Sequence, residues 1–296
     1  MILLSNPYSI REGVIYWLHH PVPKADPVTF RHLGGDWGRD AERVFVQTKQ
    51  KKVDAASFQL LNPVFAKDIN AAYDREGPIK GADATSFVVL DSGVNVNDDI
   101  IPMISARGYA RDRNSVFYHD QGFGRATALR GADAGSFVSL RNDYGYDSSG
   151  VWFQKSRLPK ADPLTWVHLG AVWSADRERI FYAEREVPDV IRESFTVVTA
   201  PSLGMFATDC KRFFMAEHVI TEEEFWTTIN KSFASLEKQF HGAYHHLRGS
   251  CTVCNFSGNC YCVRKGHDTG SCERCVGTGK CHVCKGLSRV KSLRQY

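Results

Sequence analysis

No run in this sequence approaches the roughly 18 unbroken apolar residues that a membrane-crossing helix needs. The opening, MILLSNPYSIREG, holds only a three-residue apolar run before Arg11 and Glu12, so it lacks the apolar stretch of a secretory signal. The common catalytic signatures are missing too. There is no G-x-S-x-G elbow and no H-E-x-x-H helix, and GTGK at 277–280 lacks the rest of a phosphate loop, with Cys281 where Ser or Thr would stand. No cysteine precedes Cys210, which reads as an ordinary thiol. These absences lead us to expect a soluble, cytoplasmic, non-enzymatic protein with reduced thiols and no membrane partner. Disorder is excluded by the 43% apolar and 12% aromatic content, ample for a core over 296 residues.

What is present is a repeat. Aromatic residues recur in one local context at Phe30, Phe58, Phe87, Phe137, Trp166, Phe195 and Phe225, with spacings of 28, 29, 50, 29, 29 and 30. A second series is stricter. Asp40, Asp68, Asp112, Asp147, Asp176 and Asp209 are each followed five residues later by an aromatic: Phe45, Tyr73, Phe117, Trp152, Phe181 and Phe214. In KADPVTF and KADPLTW, Asp26 or Asp162 can accept a backbone N–H at the start of a short turn, where Pro27 or Pro163 loses nothing by lacking a donor. The aromatic that ends the turn is expected to point inward. Strand-like residues follow, then a turn at the second Asp, which can bond its own backbone two residues on, then a further apolar strand.

These units predict a mainly β fold: an array of about six two-stranded repeats of about 29 residues, since such a unit cannot bury its aromatics without neighbours. An open array is favoured because 29 residues fall short of the roughly 40 of a four-stranded propeller blade. A closed ring is the alternative.

The segments DRNSVFY at 112–118, GADATSFVVL at 81–90 and GADAGSFVSL at 131–140 resemble the bacterial DKNYY-repeat family over roughly residues 14–215. Asp189, six residues before Phe195 rather than four, and Asn70 with Ala71 and Ala72 depart from the pattern and mark units expected to be irregular. The resemblance implies a bacterial binding scaffold, often found near toxin and immunity systems, and implies no reaction.

The interval of 50 between Phe87 and Phe137 localises two insertions, at about 91–108 and 119–130. Insertions in repeat arrays map to loops on one face, and such loops bind. The first carries Asp98, Asp99, Ile101 and Met103, and the second Phe123 and Arg125; these are the candidate partner-contacting residues. Drift in a surface loop is the plain alternative, because doubling a loop costs only about 0.6 kcal/mol.

Thr221 followed by Glu224 is a capping box, and Phe225, Ile229, Phe233, Leu236, Phe240, Tyr244 and Leu247 form one apolar stripe. A helix over 221–248 is therefore expected to cover the end of the array. Four thiol pairs follow, three of them C-x-x-C, with glycines just after them, as tetrahedral zinc–thiolate sites need. From Cys251 to Tyr296 there are eight Lys or Arg against two Asp or Glu, a surplus of six. Two zinc ions, each held by four thiolates, would remove four of those charges.

The tail resembles the cysteine-rich domain of DnaJ-type chaperones over about 36 residues. By position this implies one zinc on Cys251, Cys254, Cys281 and Cys284, and another on Cys260, Cys262, Cys272 and Cys275. The second unit departs as Cys-Tyr-Cys, which leaves His267 as a substitute ligand. No HPD motif accompanies it, so co-chaperone activity does not carry over.

The domain layout expected is thus a β-repeat domain over 1–220, a capping helix over 221–248, a zinc module over 251–286 and a basic tail over 287–296. The function expected is a protein-binding scaffold, foremost an immunity protein that neutralises a toxin. A nucleic-acid-associated zinc protein, using Arg264, Lys265, Lys280, Lys285, Arg289, Lys291 and Arg294, and a chaperone-like adaptor are the alternatives.

Overall fold

The computed structural model describes residues 6–96, 104–120, 124–140, 142–198 and 204–239. It divides into two compact units, one ending at Trp166 and one beginning its main run at Val167. The first unit holds five antiparallel sheets. They comprise β1 (Tyr8–Arg11), β2 (Val14–Trp17) and β3 (His20–Pro21); β4 (Arg31–Gly34), β5 (Trp37–Arg39), β6 (Val44–Val46) and β7 (Lys49–Lys51); β8 (Gln59–Leu60), β9 (Ala66–Lys67) and β10 (Ala72–Tyr73); β11 (Val88–Val89), β12 (Val94–Val96), β13 (Ile104–Arg111), β14 (Val116–Asp120) and β15 (Thr127–Ala128); and β16 (Val138–Ser139), β17 (Tyr144–Asp147), β18 (Gly150–Phe153) and β19 (Ser156–Arg157). The second holds β20 (Val167–Gly170), β21 (Trp173–Ala175), β22 (Ile180–Tyr182) and β23 (Arg185–Val187), then β24 (Thr196–Val197), β25 (Phe206–Thr208), β26 (Phe213–Met215) and β27 (His218–Ile220), and helix α1 (Glu222–Gln239).

The fold is mainly β, but the repeat is not two-stranded. Four of the seven sheets among the described residues are four-stranded meanders, each strand paired to the next in sequence. Four strands fit into about 29 residues because most are only two to four residues long. The closing strand also escapes a search for apolar alternation: β7 reads Lys-Gln-Lys and β23 Arg-Glu-Val.

Six of the seven described sheets have a buried Asp at the turn of one end; the sheet β1 to β3 turns at Glu12 and Gly13 instead. Asp40 accepts the N–H groups of Glu42 and Arg43 on Oδ1 and that of Asp26 on Oδ2. Asp26 in turn accepts the Thr29 hydroxyl, which accepts the Ala41 N–H, so the two turns form a closed hydrogen-bond circuit. The same circuit recurs with Asp54, Ser57, Asp68 and Ile69, with Asp83, Ser86, Asp112 and Arg113, and with Asp133, Ser136, Asp147 and Ser148. Asn70 and Ala71 leave the turn of their unit regular, since their N–H groups bond Asp68 Oδ1 as elsewhere, although the sheet itself has three strands, with a lone Tyr73–Pro78 bridge beyond them. The unit with Asp189 is irregular: its turn is a 3-10 segment, Arg192–Ser194, that gives the Ile191 N–H to Asp209 and the Ser194 hydroxyl to the Asp209 carbonyl.

The core is an aromatic ladder. The residue three before each second-series Asp is aromatic, and it packs on the aromatic that ends the following turn. In the first unit the pairs are Trp37 with Phe58, Phe65 with Phe87, Tyr109 with Phe137 and Tyr144 with Trp166, at centroid distances of 5.6, 5.7, 5.2 and 5.1 Å, and Tyr8 meets Phe30 likewise at 5.0 Å. In the second unit Trp173 meets Phe195 and Phe206 meets Phe225, at 5.1 and 5.7 Å. Aromatic pairs in such tilted and edge-on geometries contribute beyond their buried area. The residue two before each Asp is small and buried: Gly38, Ala66, Ala110 and Gly145, then Ser174 and Ala207. At Gly38 and Gly145 an added Cβ would strike the tip of the Phe30 or Phe137 ring.

The capping box is formed: Glu224 N–H bonds Thr221 Oγ1 at 3.1 Å and Thr221 N–H bonds the Glu224 carboxylate at 2.9 Å. Phe225 and Ile229 are buried with Val198 and Phe206, so α1 covers the last sheet.

Candidate functional site

A meander places its first and third turns at the same end of the sheet, opposite the Asp turn. In the sheet β11 to β15, both inserts leave from that one end. The first continues β11 and β13 as a hairpin, with Val94, Asn95 and Val96 paired to Ala106, Ser105 and Ile104. The second lies between β14 and β15, where Arg107 still pairs with Asp120 and Gly108 with His119.

Asp91 is the root of the first insert, not a loop carboxylate. It is largely buried, and it accepts the N–H groups of Gly93 and Tyr109 at 2.9 and 2.7 Å and the Ser139 hydroxyl at 2.9 Å. Burial pushes its carboxyl above the ordinary value against those hydrogen bonds. Gly108 is required beside it, because a Cβ there would overlap the carboxylate. From the preceding sheet Asn62 donates its side-chain amide to the Asp91 carbonyl and sits where a Cβ on Gly93 would fall, and Gly93 has φ +67°. The hairpin is thus clamped by the sheet before it and the sheet after it.

The second insert returns across the preceding sheet. Ala126 N–H bonds Oδ2 of Asp74 at 2.7 Å, while Oδ1 accepts Glu76 and Gly77 N–H at 2.8 and 2.9 Å. Asp74 is fully buried, and so, within 2%, is His119 beside it. Arg107 pairs with Asp143 at 2.7 Å, and Arg75 with Asp36 at 2.5 Å, tying the turns at this end to those of neighbouring sheets.

Among the sequence-derived candidates, Arg125 is exposed at this end. Asp98, Asp99, Ile101, Met103 and Phe123 lie outside the described residues, as do all eight tail cysteines, His267 and the basic residues of the tail. Among the described residues no group of three or more His, Cys, Asp or Glu could hold a metal. Cys210 is exposed in a turn at φ +70°, with its thiol 3.8 Å from the Ser194 carbonyl. Sequence reading missed Asp74, Asn62 and Ser139 as anchors. The signal for Asp91 was its Asp-Ser-Gly context, a side chain able to bond the backbone two residues on.

The second-series aspartates are all buried and occupied as turn acceptors. No helix among the described residues is long and apolar enough to cross a membrane. Neither the curated proteins nor the solved structures returned a match to this chain. Residues 51–185, within the repeat region, match the family model described as the DKNYY family, and it is to that family that this part of the chain is similar.

Proposed function

We propose that the chain is a non-enzymatic protein-binding scaffold, soluble and cytoplasmic, whose contact surface is the sheet end that carries both inserts. The observation behind this reading is the double clamp on Asp91. A loop lengthened by drift needs no buried carboxylate to fix its base, whereas a presented loop gains by being held in one geometry before a partner arrives. Immunity to a bacterial toxin is the role that the family resemblance favours, with the loop residues Asp98, Asp99, Ile101, Met103, Phe123 and Arg125 at the contact. The cysteine tail is proposed as a DnaJ-like knuckle with two zinc ions that adds a second contact.

The test uses the full chain, a variant in which residues 97–103 are replaced by two glycines, and a form ending at residue 250. Val96 and Ile104 are register partners, so the short loop closes the hairpin without disturbing Asp91. A single stoichiometric protein captured by the full chain, with at least tenfold weaker binding by the loop variant, is the expected result. Equal binding by all three forms would remove this surface, and capture of nucleic acid in its place would turn the reading to the basic tail.

A further inference from the structure

His119 is 98% buried at the inner end of the second insert, yet neither ring nitrogen has a hydrogen-bonding partner among the described residues. Its Nδ1 lies 3.8 Å from Asp74 Oδ2, the same oxygen that holds the Ala126 N–H. The ring packs edge-on to Phe65 at 6.2 Å. A buried imidazole with unused nitrogens is costly to keep, and a Phe or Leu would serve the packing better.

The surroundings define what its charging would do. From the preceding sheet Asp74, Arg75 and Glu76 act on it, and from its own strand Asp120 does. On β13 its register partner is Gly108, and the adjacent charge, Arg107, is committed to Asp143. The insert itself contributes Arg125, which is exposed. Asp74 thus holds a carboxylate oxygen within 4 Å of the ring, and it is already engaged by three N–H groups.

We propose that His119 is an acid-sensitive latch: when its ring takes a proton, Asp74 exchanges the Ala126 amide for the imidazolium or the site opens to water, and the return of the second insert is released. This goes beyond the partner reading and stands whether or not that surface binds a protein. Burial holds the ring below its ordinary value, against the pull of Asp74, so the closed state binds the proton poorly. Between the open-state value near 6.5 and the lower closed-state value, each unit of acidification therefore shifts the closed-to-open ratio about tenfold toward open.

The experiment is amide hydrogen exchange on the full chain between pH 7.5 and pH 5.5, corrected for intrinsic rates, in wild type, His119→Phe and His119→Gln. The peptides of interest cover 124–128 and 74–79. The expected result is a loss of protection in wild type on acidification, reaching at most about tenfold at pH 5.5, confined to those peptides and absent in both variants. No acid-dependent loss in wild type would overturn the latch, and so would an equal loss in the variants, which would assign the response to a group other than His119. Should His119→Phe misfold, His119→Gln keeps a polar, non-titrating side chain and carries the same comparison.

Discussion

At the residue scale the aspartates do structural work that side-chain chemistry alone could have been mistaken for catalysis. Asp147 takes the N–H groups of Ser149 and Gly150 on one oxygen and that of Asp133 on the other, all from a site 1% exposed. Replacing it with Ala strands three donors at once. We expect Asp147→Ala to cost about 3 kcal/mol or more in urea unfolding, and Asp147→Asn, which keeps one acceptor, distinctly less. The pH response follows from three of its counterparts. Burial pushes Asp40, Asp68 and Asp209 up, but the hydrogen bonds they accept outweigh it and leave each below its ordinary value. A carboxyl lowered in the folded state contributes stability in full above about pH 4, and loses it as pH falls through the folded values. Acid unfolding monitored by tryptophan fluorescence should therefore begin only below about pH 4 for the ladder, well after the His119 response. Onset near pH 6 across the whole molecule would contradict this. The Asp series and its aromatic five residues on were plain in the sequence because both are chemically distinctive. The partner aromatic three residues earlier was equally regular but alternates among Trp, Phe and Tyr, and the small residue beside it among Gly, Ala and Ser, so neither makes a literal motif.

At the level of elements, strands of two or three residues carry too little alternation to be read one by one. Their order comes from the turns: Asp at one end, and αL residues such as Gln47, Gln154, Ala183 and Ala216 in the two-residue hairpins. Helix α1 was legible from its capping box and stripe, since a 3.6-residue period persists over many turns. Its first turn stands in the register of a further repeat turn, with Phe225 taking the ladder position against Phe206. Thr221→Ala is expected to cost about 1 kcal/mol through the lost cap. Phe225→Ala should cost about 3 to 5 kcal/mol and expose the last sheet, visible as fast exchange in β25 and β26. Equal, small effects for both would mean that the helix caps nothing.

On the scale of the whole molecule, each described unit is held by contacts between successive sheets, so its stability is close to a sum over repeats and seams. The two inserts were located by interval arithmetic, but their common end could be known only from the four-stranded meander. The tail is a separate matter: the cysteine spacing predicts metal ligands, and those residues fall outside the described residues. If the tail folds around metal, zinc bound per full chain should be two by elemental analysis and none in a form ending at residue 250. Chelation should leave the urea midpoint of the repeats unchanged, and a shift of that midpoint would show that the tail and the repeats fold together.

In four of the described sheets the closed circuit lies at one end while the other end varies in length, and that asymmetry bears on descent. In the sheet β11 to β15 two lengthy additions were accepted while Asp83, Ser86, Asp112 and Arg113 kept every bond of the circuit. A lineage built on this plan can change length at one margin without renegotiating its folding at the other. Related genes, when aligned, should differ by whole repeats or by indels at that permissive margin, and hardly at all between the two aspartates' bonded amides.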